Sequence, residues 1–313
     1  MQQANLKAPT SLAARALHFP LTRIVLALSV VVATLPLSRF LTRALGRSVD
    51  GTPWYALLSF AFTTALAYAG YAAYVRVVER RALSELDRRA AGRELLAGVA
   101  LGIVLVGATV GVLALLGMYH VTASHQWRAL LVPLIGAATA ASIEELVARG
   151  ILFRIGEESL GTWAALVGSA AIFGLLHLGN DHATLLGAFA IAVEAGIPLG
   201  AGYVLTRRLW LPIGLHFGWN FAEGGLFGVA VSGHHSSGQV SATLTGPAWL
   251  SGGVFGIEDS VVAVIFCLVA GVALLLLAAR RRQFVGPMWR PRGPRVPTDS
   301  APIVNVAPAS GSR

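Results

Sequence analysis

Charge is the first thing this 313-residue sequence is short of. Asp, Glu, Lys and Arg together make up 12% of it, apolar residues 55%, and mean hydropathy is +0.68. A soluble domain carries about 25% charged residues, so a soluble enzyme or binding module is excluded. Apolar runs of about 20 residues, the length that crosses a bilayer, can be marked along nearly the whole chain. They leave no room for a sizeable soluble domain. Cysteine is limited to Cys267, inside an apolar run, which excludes a disulfide framework and a thiolate metal site. It reads as inert packing. The net charge is +9, yet no stretch interleaves basic with aromatic residues, so nucleic acid is not an expected partner.

What is there is an all-α, polytopic membrane bundle. Hydropathy predicts eight spans, at about 22–43, 53–76, 94–118, 128–154, 160–178, 183–205, 209–230 and 259–280. We divide the chain into N-terminal transmembrane helices (1–125), a membrane core (126–282) and a basic, Pro-rich tail expected to be disordered (283–313). Arginines gather in the segment Arg76–Glu94, at Arg154, at Arg207-Arg208 and at Arg280–Arg282, whereas Leu209–Ala279 holds no Lys or Arg. Positive charge marks the cytoplasmic side, which puts both termini in the cytoplasm. Arg39, Arg43 and Arg47 fall on the other side against that rule. The run Ile24–Leu37 resembles a signal-peptide core, but no small-x-small cleavage site follows, so an uncleaved first helix is expected. A bacterial cytoplasmic membrane is the expected location.

Against this apolar background the stretch ASIEELVARG, Ala141–Gly150, is out of place. A carboxylate within a membrane span is costly and needs a reason. Glu145 and Arg149 are four residues apart with the acid first, the favourable order for a helical ion pair. Glu144 is rotated about 100° from Glu145, and its own position four residues on is Ala148. It has no cation on its own helix. His177 follows Phe173 by one turn in a later span, and His216 and Asn220 share a face in another. One unpaired carboxylate, two imidazoles and an amide form a set suited to activating water: the carboxylate takes the proton, the imidazoles orient or donate, and the amide stabilises an oxyanion.

The order EExxxR, FxxxH, HxxxN resembles the signature of the CPBP intramembrane proteases, which include the type II CAAX prenyl endopeptidases. It is carried here by Glu144–Arg149, Phe173–His177 and His216–Asn220, with TRRLWLPIGLH and SGGVFGIEDS as similar surroundings over roughly residues 130–279. The resemblance implies an intramembrane endopeptidase acting on a membrane-tethered protein or peptide within the lipid bilayer. It also implies a site open to the cytoplasm or laterally to lipid. In these roles Glu144 is the general base, His177 holds the water or the scissile carbonyl, and His216 with Asn220 forms the oxyanion site. Glu145 and Arg149 become the structural pair, with Phe173 beside them.

Two His and a Glu also suit zinc, with His177, His216 and Glu144 or Glu145 as ligands. No cofactor is the favoured expectation, because Asn220 is a poor ligand and no HExxH places two imidazoles on one helix face. A non-catalytic scaffold and a transporter are the rival functions; a transporter would show paired broken helices, and only one break, Gly196–Pro198, is seen. Glu194 beside that break is read evenly as functional or solvated. Glu223 is expected at a wet helix end, His234-His235 in a solvated loop, and Glu258 and Asp259 as caps of the last helix. Gly98/Gly102, Gly107/Gly111 and Gly196/Gly200 are expected to pack helices closely.

Overall fold

The computed structural model describes residues 19–236 and 238–289. The N-terminal arm, expected in the cytoplasm, and most of the tail expected to be disordered lie outside the described residues.

Helix α1 spans Pro20–Gly46 and α2 Pro53–Tyr74, each opened by a proline, whose fixed φ suits a first turn. Helix α3 is Ala91–Leu115. Helix α4, Leu131–Glu145, runs through a π-helical stretch, Leu146–Phe153, into α5, Arg154–Leu160. Gly161, at φ 82°, makes the reversal into α6, Thr162–Leu176; its left-handed backbone lets it pass against Pro287. Helix α7, Leu185–Ile191, continues through π-helical Ala192–Gly196 into α8, Ile197–Thr206. Helix α9, Trp210–Asn220, ends in π-helical Phe221–Leu226. A short α10, Ala248–Ser251, precedes α11, Val261–Arg280.

Seven helical runs among the described residues are long and apolar enough to cross a membrane. The eighth expected span, Trp210–Leu226, is shorter and lies packed inside the bundle. The protein is an integral membrane protein with the expected helical architecture. One element departs from an all-helical chain: β1, Tyr119–Ser124, pairs antiparallel with β2, Val240–Leu244, with a register shift between Val121 and Ala123. Their valines and threonines alternate too briefly to register in a hydropathy reading.

Lipid offers helices little hydrophobic drive to associate, so close backbone approach holds them together. The most extensive contact is between α3 and α9. A methyl on Gly98 would stand 2.4 Å from the Leu211 carbonyl oxygen, and one on Gly214 would stand 2.2 Å from that of Leu95. Gly102 and Gly218 repeat the arrangement one turn on, at 2.5 Å from Leu215 O and 2.4 Å from Val99 O. Gly196 and Gly200 likewise pack on Ala170 and Leu166 of α6. Gly107 and Gly111 do not fulfil that expectation: a methyl would meet only Phe227 at 3.9 Å on the first and nothing within 4 Å on the second.

The face carrying most arginines is tied by ion pairs. Arg23 reaches Glu79 and Glu158, both at 2.6 Å, and Arg154 joins the same two acids at 2.8 and 2.9 Å. Arg81 joins Glu79 and Glu85, each at 2.7 Å. Arg207 pairs with Glu157, and Arg208 with Glu94. The opposite face is built from the two-stranded sheet and the loops around His177–Thr184 and Gly228–Ser260.

Candidate active site

The expected ion pair is present. Arg149 Nη1 donates to Glu145 Oε1 at 2.8 Å, with both side chains fully buried. Its other nitrogen, Nη2, donates to the Gly196 carbonyl at 3.1 Å, and the guanidinium lies 4.8 Å from the centre of the Phe173 ring. The π-helical widening begins directly after Glu145, as such widenings do at many functional sites.

Glu145 does more than balance Arg149. Its Oε1 also lies 3.0 Å from His216 Nδ1. A carboxylate that already accepts from Arg149 accepts again here, so Nδ1 carries the proton and Nε2 is turned the other way. Nε2 stands 3.9 Å from Glu144 Oε2. The two adjacent glutamates therefore flank one imidazole, Glu145 by a hydrogen bond and Glu144 by proximity alone, a link across 71 residues that helical spacing could not reveal.

His177 is fixed by its own helix. Its Nδ1 lies 2.8 Å from the Phe173 carbonyl oxygen, and a carbonyl only accepts, so Nδ1 is the donor and Nε2 is free for another partner. Phe173 packs against both imidazoles, with ring centres at 4.8 Å from His177 and 6.1 Å from His216. One aromatic ring thus contacts Arg149, His177 and His216, which explains its place in the motif.

These groups border a cavity of about 630 Å³, lined by Glu144, His177 and Asn220 together with Asn180, Ser232 and His234-His235. A second, inner cavity of about 40 Å³ touches Glu144, His177, His216 and Asn220 from behind. Four residues read from three separate spans thus meet at one place. Glu144 is the most open of the acids that line the two cavities, with 39% of its side chain exposed.

Counting residues from the basic loops puts the three helices' groups at different depths, and the structure shows why the count fails. The α4–α5 run extends to Leu160, so Glu144 stands ~24 Å along it and His177 ~22 Å along α6, at 1.5 Å per residue. Helix α9 does not start at that surface. Leu209 is fully buried, its amide donates to the Glu85 carbonyl, and its side chain lies beside Gly150. His216 therefore reaches the level of Glu145 within two turns.

Several polar residues sit differently from expectation. His234 and His235 border the large cavity rather than a plain solvated loop. Glu223 is fully buried rather than at a wet helix end, because the helix widens and continues past it; its carboxylate has no hydrogen-bond partner among the described residues. Glu258 and Asp259 do not cap the last helix; Ser260 does, accepting from the Val262 amide. Glu258 is turned inward, accepts from Ser232 Oγ at 3.0 Å and lines the inner cavity with Glu194. Burial raises the Glu258 pKa, while the hydrogen bond from Ser232 acts against that rise. Burial likewise pushes Asp259 up to about 6.

The donor set fits zinc poorly. Among the described residues no three of His, Cys, Asp and Glu are grouped closely enough to hold a metal ion. Glu145, one of the two acids a zinc site would draw on, is already engaged by Arg149 and His216.

The family model described as Type II CAAX prenyl endopeptidase Rce1-like matches residues 125–222, just under a third of the chain. That stretch contains Glu144, Glu145, Arg149, Phe173, His177, His216 and Asn220. Comparison with curated proteins and with solved structures gives no match.

Proposed function

We propose, from the premise that residues 125–222 are a region of the Rce1-like, type II CAAX prenyl endopeptidase family, that this membrane protease hydrolyses peptide bonds with water activated by Glu144. The observation that carries the reading is the unequal treatment of two adjacent acids. Glu145 is buried between Arg149 and His216, whereas Glu144 has no cation on its helix and faces the cavity beside His177 and Asn220.

In the reaction, Glu144 takes a proton from a water molecule as the oxygen attacks the scissile carbonyl. The free Nε2 of His177 accepts the water's second proton in a hydrogen bond and aims its lone pair. Negative charge then develops on the former carbonyl oxygen. The Asn220 side-chain amide donates to it, joined by Nε2–H of a doubly protonated His216, whose Nδ1–H stays on Glu145. Protonated Glu144 next delivers its proton to the departing amine, the C–N bond breaks, and a carboxylate and an amine leave. Preorganised donors in a site walled by apolar residues supply the electrostatic part of the acceleration.

The test is to incubate purified protein in detergent with a mixed pool of lipidated and unlipidated peptides in oxygen-18 water. Each new C-terminal carboxylate is then read by mass spectrometry. An endopeptidase places one heavy oxygen in each new C-terminal carboxylate and none in the amine fragment, and Glu144→Gln abolishes the signal. Absence of new termini from wild-type protein across the pool would favour a scaffold that keeps the fold without hydrolysis.

A further inference from the structure

The large cavity has a definite side. It runs along α4 and its π-helical continuation from Val132 past Glu144 as far as Leu152. Its mouth comes from the first turns of α4 (Val132, Pro133, Gly136), from Asn180 just after α6, and from the loop Val231–Ser236. All three belong to the face built by the two-stranded sheet and the long loop between α9 and α11. The same chain directions put the ends of α5, α8 and α11 and the start of α3 at the other face, where Arg154, Arg207, Arg208 and Arg280 lie.

Those two faces differ sharply in charge. Among the described residues thirteen arginines lie at or near the second face, whereas the cavity's face has Arg39, Arg43, Arg47 and Arg128; Arg149 is interior. Such a bias over short loops sets orientation in a bilayer, with the basic face in the cytoplasm. The basic face is also closed. Below the Glu145–Arg149 pair the space is filled by Leu146, Ile151, Phe153 and Ile155, all fully buried, and Tyr71 reaches across to the Gly150 carbonyl at 2.9 Å. The ion pairs of Arg23, Arg81 and Arg154 seal that end further.

We infer that the site takes its substrate from the non-cytoplasmic face of the membrane. The substrate class is a polypeptide whose cleaved bond lies at the outer boundary of the bilayer, next to an apolar anchor. The anchor follows from the rim: Val132 and Leu176 line the cavity yet are 56% and 64% exposed on the lipid-facing flanks of α4 and α6. The remaining mouth is uncharged and polar, formed by Asn180, Ser232, His234 and His235, which suits the backbone and side chains of an unfolded segment. This inference rests on the hydrolase reading for its chemistry, but the facing of the cavity stands on geometry and charge alone. It runs opposite to the cytoplasmic opening that the family resemblance implies.

Two measurements separate those parts. First, His235→Cys, at the exposed cavity mouth, and Arg281→Cys, at the other face, are made in the full chain and expressed in bacterial cells; buried Cys267 serves as the unlabelled control. A membrane-impermeant maleimide is expected to label His235→Cys in intact cells and Arg281→Cys only after permeabilisation. The reverse pattern, or labelling of both in intact cells, overturns the inference. Second, one cleavable linker is placed beside an outward-facing transmembrane helix, an outer-leaflet lipid anchor or a cytoplasm-facing helix. Cleavage of either outward reporter, about a hundredfold or more below wild type in Glu144→Gln, supports the inference and tells which anchor is used. Cleavage confined to the cytoplasmic reporter overturns the substrate class. Outward labelling with no reporter cleaved counts against the hydrolase reading and leaves the facing intact.

Discussion

His216 lies between neighbouring acids: Nδ1 donates to Glu145 at 3.0 Å, and Nε2 lies 3.9 Å from Glu144, beyond hydrogen-bond length. The relationship makes Glu145 a positioning residue for the site as well as a partner of Arg149. Glu145→Gln is therefore expected to lower both melting temperature and cleavage. The amide still reaches His216 but no longer neutralises a fully buried guanidinium.

Removing the cation tests the same pair from the other side. Breaking a buried ion pair from one end leaves a bare charge in the bundle, at a cost of about 3–5 kcal/mol. Arg149→Gln should lower the melting temperature strongly, and the double variant with Glu145→Gln should recover part of the loss. Thermal unfolding in detergent of the four proteins of this cycle gives the coupling. Additive losses would mean the two charges do not depend on each other.

The α3–α9 contact supports the site from behind. Helix α9 carries His216 and Asn220, and Gly218 between them passes 2.4 Å from the Val99 carbonyl oxygen when given a methyl. Gly218→Ala should cost about 1–3 kcal/mol of stability and lower kcat by displacing α9. Gly111→Ala, where nothing stands within 4 Å, should leave both unchanged. Melting temperature and turnover measured on the two variants distinguish a specific packing contact from a general intolerance of added bulk.

Asp259 predicts a pH dependence whose sign is fixed. Burial lifts its pKa from the ordinary 3.8 to about 6, so between those values the folded protein holds a proton that the unfolded chain has released. Stability from this group falls as pH rises through that window, and the penalty is complete above it. Asp259→Asn should raise the melting temperature at neutral pH and flatten its slope between pH 4 and 6. An unchanged slope would assign the dependence to other groups, with Glu258, also raised by burial, as the next to replace.

Much of the fold and half of the site are legible in the residues themselves, because the costs are local. An acid four residues before an arginine on one apolar helix has to pair, and Glu145 and Arg149 do. The eight helical segments fall within a few residues of the hydropathy reading, since a bilayer-length apolar run has few alternatives. What the residues alone do not show depends on contacts between distant segments. Glu145 meets His216, the loop with His234 and His235 folds over the cavity, and Gly214 and Gly218 answer Gly98 and Gly102. Glu223 and Glu258 read as helix-end acids because burial of a loop leaves no periodic trace. The π-helical stretches are equally silent, as they change the helix's phase without changing its composition.

The central claim is that Glu144, and not its neighbour, activates water. Turnover of one cleaved substrate by Glu144→Gln and by wild type, with melting temperatures measured on the same preparations, tests it most directly. The account predicts a loss of about 10²–10⁴-fold in kcat with the melting temperature little changed, because this carboxylate faces the cavity and makes no hydrogen bond to a cation. Wild-type turnover by a folded Glu144→Gln protein would contradict it.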